Sequence, residues 1–124
     1  EPDVAEQLAA VTTDKSTDSE AFRMAIEALA AECLNTRSFD IKAFTAAMAT
    51  LPMDYAELYA LYIGKNMLNR FRQNNGYKSG EYKKLWQGRE DNEHLIELLA
   101  ELGDEPEQLP ERLYAGLEAR YATA

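Results

Sequence analysis

Cysteine and histidine are almost absent from this sequence, in which Cys33 and His94 are the only residues of their types among 124. A single cysteine excludes a disulfide within the chain and a zinc site built from several thiolates. A single histidine with no serine or cysteine nearby supports no catalytic triad. We expect Cys33 to be a small buried side chain on a helix, and His94 to lie at the surface or at a helix start. The low cysteine content favours a reducing, cytoplasmic setting.

Long apolar runs and a secretory signal are also missing. No run approaches the roughly 18 apolar residues of a membrane-spanning helix, and the first residues lack the basic and then apolar order of a signal peptide. The sequence therefore predicts no membrane association. Because Glu1 stands where an initiator methionine would, we expect that the chain was processed or excised from a longer protein.

Positive charge is scarce overall but concentrated in one segment. Seven of the thirteen basic residues lie between Lys65 and Arg89, with Glu81 as the only acid among them, although the net charge of the chain is −9. Charges at a surface interact over only about 8 Å at physiological salt, so a short basic segment suits a small, highly charged anion. The acidic remainder would repel a long polyanion, which argues against nucleic acid as a partner.

The hydrophobic pattern predicts an all-α protein. Apolar residues recur every three or four positions from Ser19 onward, and no segment alternates apolar and polar residues as a half-buried strand would. Residues 1–18 are interpreted as a polar lead-in or linker, because residues 12–18 are cap and turn formers. Residues 19–124 should then form one helical unit of five or six helices.

Capping and periodicity give approximate helix limits. The second helix should be capped by Ser38, and the third should open with a capping box at Asp54 and Glu57 and end near Gln73. The first helix should bury one apolar face, the fourth should start near residue 91 or 92 and end toward residue 103, and the last should follow the prolines at 106 and 110. The expected inward residues are Phe22, Ile26, Leu29, Cys33 and Leu34 in the first helix, Leu95, Ile96, Leu98 and Leu99 in the fourth, and Leu113, Leu117 and Tyr121 in the last.

The third helix and the loop after it carry the most informative residues. Four polar residues have the spacing that places them along one side of a helix: Lys65, Asn69, Arg72 and Gln73. Two such cations can hold adjacent phosphate groups while the amide contacts a sugar or a base. The following loop adds Tyr77 and Lys78 between two glycines, and exposed backbone N–H groups of such loops can approach an anion.

Simpler interpretations remain open for several of these residues. Any one lysine of the segment is more often solvated surface than a ligand, although their concentration in an acidic chain is harder to explain in that way. Trp86 could close over a base or only anchor the loop. Asp91 and Asn92 could contact a metal or phosphate-bound water, or could satisfy free N–H groups at a helix start. Three tyrosines at helical spacing are interpreted as core: Tyr55, Tyr59 and Tyr62.

The segment also resembles a known family. Between positions 62 and 92 the sequence reads Tyr-Ile-Gly-Lys-Asn, then Leu-Asn-x-Phe-Arg-Gln, and then Gly-Tyr-Lys-x-Gly-x-Tyr-x-Lys-x-Trp-x-Gly-x-Glu-Asp-Asn. This pattern is similar to the last motif of the dimeric, all-α dUTPases, which are members of the MazG-like all-α nucleoside-triphosphate pyrophosphohydrolases. Weaker similarity extends over nearly the whole chain, which thus resembles the C-terminal part of that family.

The resemblance implies hydrolysis of dUTP, and of dUDP, to dUMP by a Mg²⁺-dependent homodimer. It implies that Lys65, Arg72, Tyr77, Lys78 and Lys84 lie around the phosphates. It further implies that Asn69 and Asn92 hold the nucleotide or its phosphates. None of these residues is expected to be a catalytic acid or base, because their role would be to stabilise charge on the transferring phosphoryl group.

One part of the family pattern is missing. The family holds its metal with a Glu-Glu-x-x-Glu motif and a Glu-x-x-Asp motif, and this sequence has no equivalent of either. Glu27 and Glu32 are five residues apart and lie on different helix faces, while Asp54 and Glu57 are better explained as a cap. We therefore expect the Mg²⁺ ligands to lie mainly in an N-terminal portion of the same enzyme. Two alternatives remain, a non-catalytic helical module that binds a nucleotide or a protein, and a related pyrophosphohydrolase with a different base preference.

Overall fold

The computed structural model describes residues 4–9, 18–102 and 106–124. This part of the chain is all-α, as predicted, with six α-helices and one very small antiparallel sheet. None of the described helices is both long enough and apolar enough to cross a membrane. The elements in chain order are α1 (Val4–Ala9), α2 (Ser19–Thr36), α3 (Ile41–Ala49), α4 (Tyr55–Asn74), β1 (Leu85–Trp86), β2 (Arg89–Glu90), α5 (Asp91–Leu102), a 3₁₀ turn (Pro106–Gln108) and α6 (Leu109–Tyr121).

The chain forms two compact units, Glu1–Leu58 and Tyr59–Ala124. In the first unit α2 packs along α3, and α1 contacts α3. Its most buried side chains are Leu8, Ala47 and Met48. Helix α1 and its buried Leu8 lie within the stretch interpreted as a lead-in, whereas its polar part, residues 12–17, lies outside the described residues.

The helix caps of the first unit follow the short polar side chains. A carboxylate oxygen of Asp40 accepts a hydrogen bond of 2.7 Å from the amide of Ala43, so Asp40 caps α3. The prediction of Ser38 as this cap is wrong, because Asp40 directly precedes the first helical residue and reaches its free amides. The predicted cap of α4 is confirmed on one side, since Asp54 accepts a bond of 2.8 Å from the amide of Glu57.

Helix α2 does not bury the apolar face that its sequence predicts. No residue of α2 is buried, and Met24 and Leu34 are 59% and 76% exposed. Phe22 and Leu29 are half-buried, and so is Cys33, for which burial was expected. Because an exposed apolar stripe is costly in water, this face is suited to a further packing partner.

The second unit is organised around the aromatic rings of Phe71 and Trp86, whose centroids lie 5.7 Å apart. The predicted inward residues Leu113 and Leu117 of α6 are fully buried in this core. Ile96 was expected inward but is 58% exposed. The other buried apolar members of the cluster are Leu68, Leu95, Leu98 and Leu109.

Two short turns connect α4 to α5. The predicted loop at Gly76 and Gly80 is confirmed, and both glycines have positive φ. The predicted loop near Gly88 is instead the turn of a two-residue hairpin in which Gln87 and Gly88 have φ of 53° and 81°. Positive φ at both central positions is the requirement of the turn that best matches the twist of a hairpin.

Candidate functional site

An ion pair between α4 and α5 forms the centre of the candidate site. The guanidinium of Arg72 donates from Nε to Oδ2 of Asp91 at 2.7 Å and from Nη2 to Oδ1 at 2.8 Å. Asp91 is fully buried, and the side chain of Arg72 is 18% exposed. Two parallel hydrogen bonds of this kind fix the orientation of a guanidinium as well as its position.

A third side chain completes this pair. The hydroxyl of Tyr82 donates a hydrogen bond of 2.8 Å to Oδ2 of Asp91. Burial alone would raise the pKa of Asp91, but the hydrogen bonds from Arg72 and Tyr82 outweigh it and the pKa is lowered. Burial and the neighbouring carboxylate raise the pKa of Tyr82, and the hydrogen bond to Asp91 raises the pKa of Arg72. Asp91 is therefore a charged carboxylate, and it is held by the positively charged guanidinium of Arg72 and the neutral phenol of Tyr82.

The glycine turn at the end of α4 brings Tyr77 back onto Arg72. Gly76 has a φ of 85°, and the amide of Tyr77 donates a hydrogen bond of 2.9 Å to the carbonyl of Arg72. This is the Schellman geometry that ends many helices. As a result, the ring of Tyr77 lies with its centroid 5.9 Å from Cζ of Arg72, within the range of a cation–π contact.

The remaining predicted residues of α4 lie beside this pair. Nζ of Lys65 donates a hydrogen bond to Oδ1 of Asn92, the residue that follows Asp91. The side-chain oxygen of Asn69 lies 3.5 Å from Nη1 of Arg72. Lys65, Asn69 and Arg72 thus share one side of α4, as their spacing predicts, and the start of α5 adjoins two of them.

The last two predicted cations belong to the connection between the helices. The backbone carbonyl of Lys84 accepts a hydrogen bond of 3.0 Å from the amide of Asp91, which ties Lys84 to the start of α5. Its ammonium lies 3.3 Å from a carboxylate oxygen of Glu90, and both side chains are about half exposed. Lys78 is exposed in the glycine turn. The structure does not assign a ligand to any of these residues.

Asp91 is the functional candidate that the sequence left undecided. The sequence allows a contact to metal or phosphate-bound water or an ordinary helix-start acid. The carboxylate accepts a hydrogen bond from the backbone of Asn92, as a helix-start acid does, and it also faces Arg72 and Tyr82. No local pattern could have shown this, because the two partners are 19 and 9 residues away in the sequence.

Two predictions about aromatic residues are settled by burial. Trp86 is fully buried and its indole N–H donates to the carbonyl of Lys83 at 2.6 Å, so it anchors the loop and is not open to a base. Of the three tyrosines predicted as core, Tyr62 is 67% exposed, so the prediction is wrong for that residue. Tyr55 and Tyr59 are half-buried.

Of the two positions expected for His94, the helix start is confirmed, because the residue lies in the first turn of α5, and the surface is wrong. His94 is fully buried, its ring stacks on Trp86 with centroids 5.2 Å apart, and Nε2 lies 2.9 Å from the carbonyl oxygen of Trp86. Its other nitrogen, Nδ1, lies 3.3 Å from Nη1 of Arg120. Because a carbonyl can only accept and a guanidinium can only donate, the ring carries its proton on Nε2 and accepts at Nδ1. His94 therefore has a structural role beneath the hairpin.

The described carboxylates do not fit a magnesium site. Among residues 4–9, 18–102 and 106–124, no three acidic, histidine or cysteine side chains come together in a group that could hold a metal ion. Magnesium needs oxygen ligands in near-octahedral geometry, and a single buried carboxylate already occupied by Arg72 does not supply them.

A separate groove of about 400 Å³ lies between α4 and α6. It does not include any of the residues predicted to bind phosphate. Its lining residues are Met67, Arg70, Asn74, Pro110, Glu111, Tyr114, Ala115 and Glu118.

A model of the dUTPase family matches residues 4–77, more than half of the chain. The matched region extends through Lys65, Asn69, Arg72 and Tyr77 and ends before Lys78. A search of curated proteins found no match.

Proposed function

Because the chain belongs to the dUTPase family, a family of dUTP-hydrolysing enzymes, we propose that it takes part in hydrolysing dUTP to dUMP and pyrophosphate, and dUDP to dUMP and phosphate. In this proposal the chain supplies the phosphate-binding part of the site. The phosphate ligands are Lys65, Arg72, Tyr77, Lys78 and Lys84, and the nucleotide contacts are Asn69 and Asn92.

The observation that supports this proposal most directly is the arrangement at the junction of α4 and α5. Lys65, Asn69 and Arg72 lie along one side of α4, and Asn92 contacts the first of them. A triphosphate needs several donors with fixed spacing, and residues on two packed helices provide more rigid spacing than surface lysines on a loop. Lys78 and Lys84, which are exposed, can then adapt to the outer phosphates.

The chemistry of these residues is electrostatic. When water adds to a phosphorus atom and the bridge between phosphates breaks, negative charge grows on the leaving phosphate oxygens. Ammonium and guanidinium groups that are already in place stabilise this charge without reorganisation. None of the proposed ligands removes the proton of the attacking water, so the general base would come from elsewhere in the enzyme.

A magnesium site and an N-terminal portion of the enzyme belong to the same proposal. The described carboxylates do not fit a magnesium ion. In this proposal its ligands come mainly from residues outside this chain, because the sequence has neither acidic motif of the family. The exposed apolar side chains Met24, Ile26 and Leu34 of α2 supply a surface against which additional helices or the second subunit of a homodimer could pack. The cytoplasmic location remains a proposal that rests on the single cysteine.

The test is a comparison of binding with turnover. The 124-residue chain is titrated with a non-hydrolysable dUTP analogue in which nitrogen bridges the α and β phosphates, and pyrophosphate release from dUTP with Mg²⁺ is measured separately. We expect binding with little turnover, and turnover when the N-terminal portion of the enzyme is added. Failure of the analogue to bind would contradict the proposal.

The second candidate function is that of a helical module without catalysis. The 67% exposure of Tyr62 favours this candidate, because the ring offers a surface for a protein partner. Binding of the analogue with no turnover after addition of the N-terminal portion would favour this alternative. A third arm compares dUTP with dCTP, because a related pyrophosphohydrolase of different base preference would process dCTP at least as fast.

A further inference from the structure

The carboxylate of Asp91 has both oxygens occupied. Oδ1 accepts from Nη2 of Arg72 at 2.8 Å, and Oδ2 accepts from Nε of Arg72 at 2.7 Å and from the hydroxyl of Tyr82 at 2.8 Å. No part of Asp91 is exposed to solvent. A buried carboxylate is tolerated only when it is paired and hydrogen-bonded in this way, so its position and that of its partners are mutually determined.

The guanidinium of Arg72 is constrained on one edge and on one face. Nε and Nη2 are engaged by Asp91, and the ring of Tyr77 lies 5.9 Å from Cζ. The remaining nitrogen, Nη1, lies 3.5 Å from the side-chain oxygen of Asn69, a contact long enough to be exchanged for a better acceptor. Both N–H groups of Nη1 and the second N–H of Nη2 are therefore left for an additional anionic ligand.

We infer that Asp91 is a positioning residue for the phosphate site: it fixes the guanidinium of Arg72 so that the N–H groups not bound to Asp91 contact phosphate oxygens, while Tyr82 holds Asp91 in place. The inference rests on the proposed function, and it defines how Arg72 acts within it. While the pair with Asp91 is intact, the phosphate contacts of Arg72 are limited to the N–H groups of Nη1 and the second N–H of Nη2. Arg72 and Asp91 together carry no net charge, and neither do Lys84 and Glu90, so the net attraction for the triphosphate comes mainly from Lys65 and Lys78.

The change in triphosphate affinity expected for a positioning role of Asp91 is opposite in sign to the simplest electrostatic expectation. Replacing Asp91 by asparagine removes a negative charge near a polyanion, and attraction alone would then make binding tighter. If Asp91 positions Arg72, binding becomes weaker. Asparagine has an NH₂ group in place of one carboxylate oxygen, so one of the donors that bonded to Asp91 loses its acceptor. The direction of the change distinguishes the two accounts.

The experiment measures affinity for the non-hydrolysable dUTP analogue by calorimetry on the full chain. Asp91→Asn is expected to weaken binding about tenfold, the effect of losing a well-oriented charge-assisted hydrogen bond. The matched control is Glu97→Gln, which removes the same charge from the same helix and breaks contacts to Arg89 and Arg120 instead. It should change affinity less than about twofold. Equal or tighter binding by folded Asp91→Asn would overturn the inference and leave the proposed function intact.

A double-mutant comparison tests whether Asp91 acts through Arg72. Lysine at position 72 keeps the charge but cannot form the two parallel hydrogen bonds. We expect Asp91→Asn to cause no further loss of affinity in an Arg72→Lys background. A full tenfold loss in both backgrounds would show that Asp91 affects binding by another route, and the inference would be wrong.

Two further measurements cover folding and the proposed function. Tyr82→Phe removes one hydrogen bond to Asp91 without a change of charge, and it should weaken binding about threefold. This variant serves as the test if Asp91→Asn does not fold. The second measurement is the rate of hydrogen exchange at Nε–H of Arg72, followed by NMR without nucleotide. This hydrogen should exchange slowly with water in the original chain and rapidly in Tyr82→Phe or Asp91→Asn. If the original chain does not bind the analogue, the proposed function fails, whereas equal exchange in all chains contradicts the positioning role of Asp91.

Discussion

The ammonium group of Lys65 on α4 donates a hydrogen bond to the side-chain oxygen of Asn92, 27 residues later at the start of α5. Asn92 is uncharged, so Lys65 keeps its full positive charge and exchanges one neutral acceptor when an anion binds. Lys84 differs in this respect because it lies 3.3 Å from Glu90. Among Lys65, Arg72 and Lys84, Lys65 is therefore the cation whose charge is not opposed by a carboxylate.

Replacing Lys65 by methionine should weaken binding of the dUTP analogue by about 1.5–3 kcal/mol, since a charge-assisted hydrogen bond to phosphate is lost while the aliphatic volume is kept. The matched control is Lys42→Met, an exposed lysine of α3 in the first unit. Calorimetric titration of both variants gives the comparison. Equal losses would mean that only net charge matters.

Arg72→Ala should lower triphosphate affinity by about 1.5–3 kcal/mol and also destabilise the chain. The second effect arises because Asp91 is left buried without its cation, which typically costs about 3–5 kcal/mol. Adding Asp91→Asn to Arg72→Ala should recover part of the free energy of unfolding but none of the affinity. Denaturant unfolding and nucleotide titration of the three variants separate the effects, and unchanged affinity in Arg72→Ala would count against its assignment.

Acid should destabilise the second unit through two carboxylates. The hydrogen bonds from Arg89 and Arg120 lower the pKa of Glu97 to about 2, and the pKa of Asp91 is lowered as well. A carboxylate with a depressed pKa in the folded state contributes stability above its unfolded pKa, near 4, and loses it as the pH falls toward the folded value. Melting temperatures from pH 6 to pH 2.5 should fall less steeply in Glu97→Gln and Asp91→Asn, and parallel curves for all three chains would contradict this.

Replacing Gly76 and Gly80 by alanine should have unequal effects. Both have φ near +80°, which costs an L-residue about 1–2 kcal/mol, but only at Gly76 would the new methyl meet atoms of Glu81 and Ser79 at 3.0 Å. Gly76→Ala should therefore destabilise the chain more and also disturb Tyr77, and thus analogue binding, whereas Gly80→Ala should leave binding unchanged. Thermal melts with titrations check both, and identical affinities would argue against a role for the turn.

His94→Phe should destabilise the chain without affecting nucleotide contacts. It leaves the Trp86 carbonyl and the Arg120 guanidinium without their buried partner, at a cost of about 1–3 kcal/mol in the free energy of unfolding. Ile96→Ala, at an exposed position two residues away, should cost less than about 0.5 kcal/mol. A large effect at Ile96 would indicate that this side chain is covered in solution.

Periodicity predicts the helical part of the site. It does not predict the positions of residues whose burial depends on contacts distant in the sequence. The alignment of Lys65, Asn69 and Arg72 follows from the 3.6-residue repeat alone. The burial of Asp91 and His94 depends on partners distant in the sequence, and polar residues are not expected inside without them. The hairpin at β1 and β2 has two residues in each strand, too few for an alternating pattern to be visible.

In the first unit, apolar residues that periodicity predicts to be buried are exposed. The apolar spacing of α2 correctly predicts a helix, and yet Leu34 and Met24 are exposed because only α3 packs along it among the described elements. A hydrophobic pattern identifies the face that should be covered but not what covers it.

The most direct test is an NMR titration of the uniformly ¹⁵N-labelled chain with the non-hydrolysable dUTP analogue. We expect the shift changes to concentrate at the proposed ligands, with the Arg72 Nη1 signals among those that move. These ligands are Lys65, Asn69, Arg72, Tyr77, Lys78, Lys84 and Asn92. Changes confined to the groove between α4 and α6 at Arg70 and Tyr114, or no saturable change at all, would contradict it.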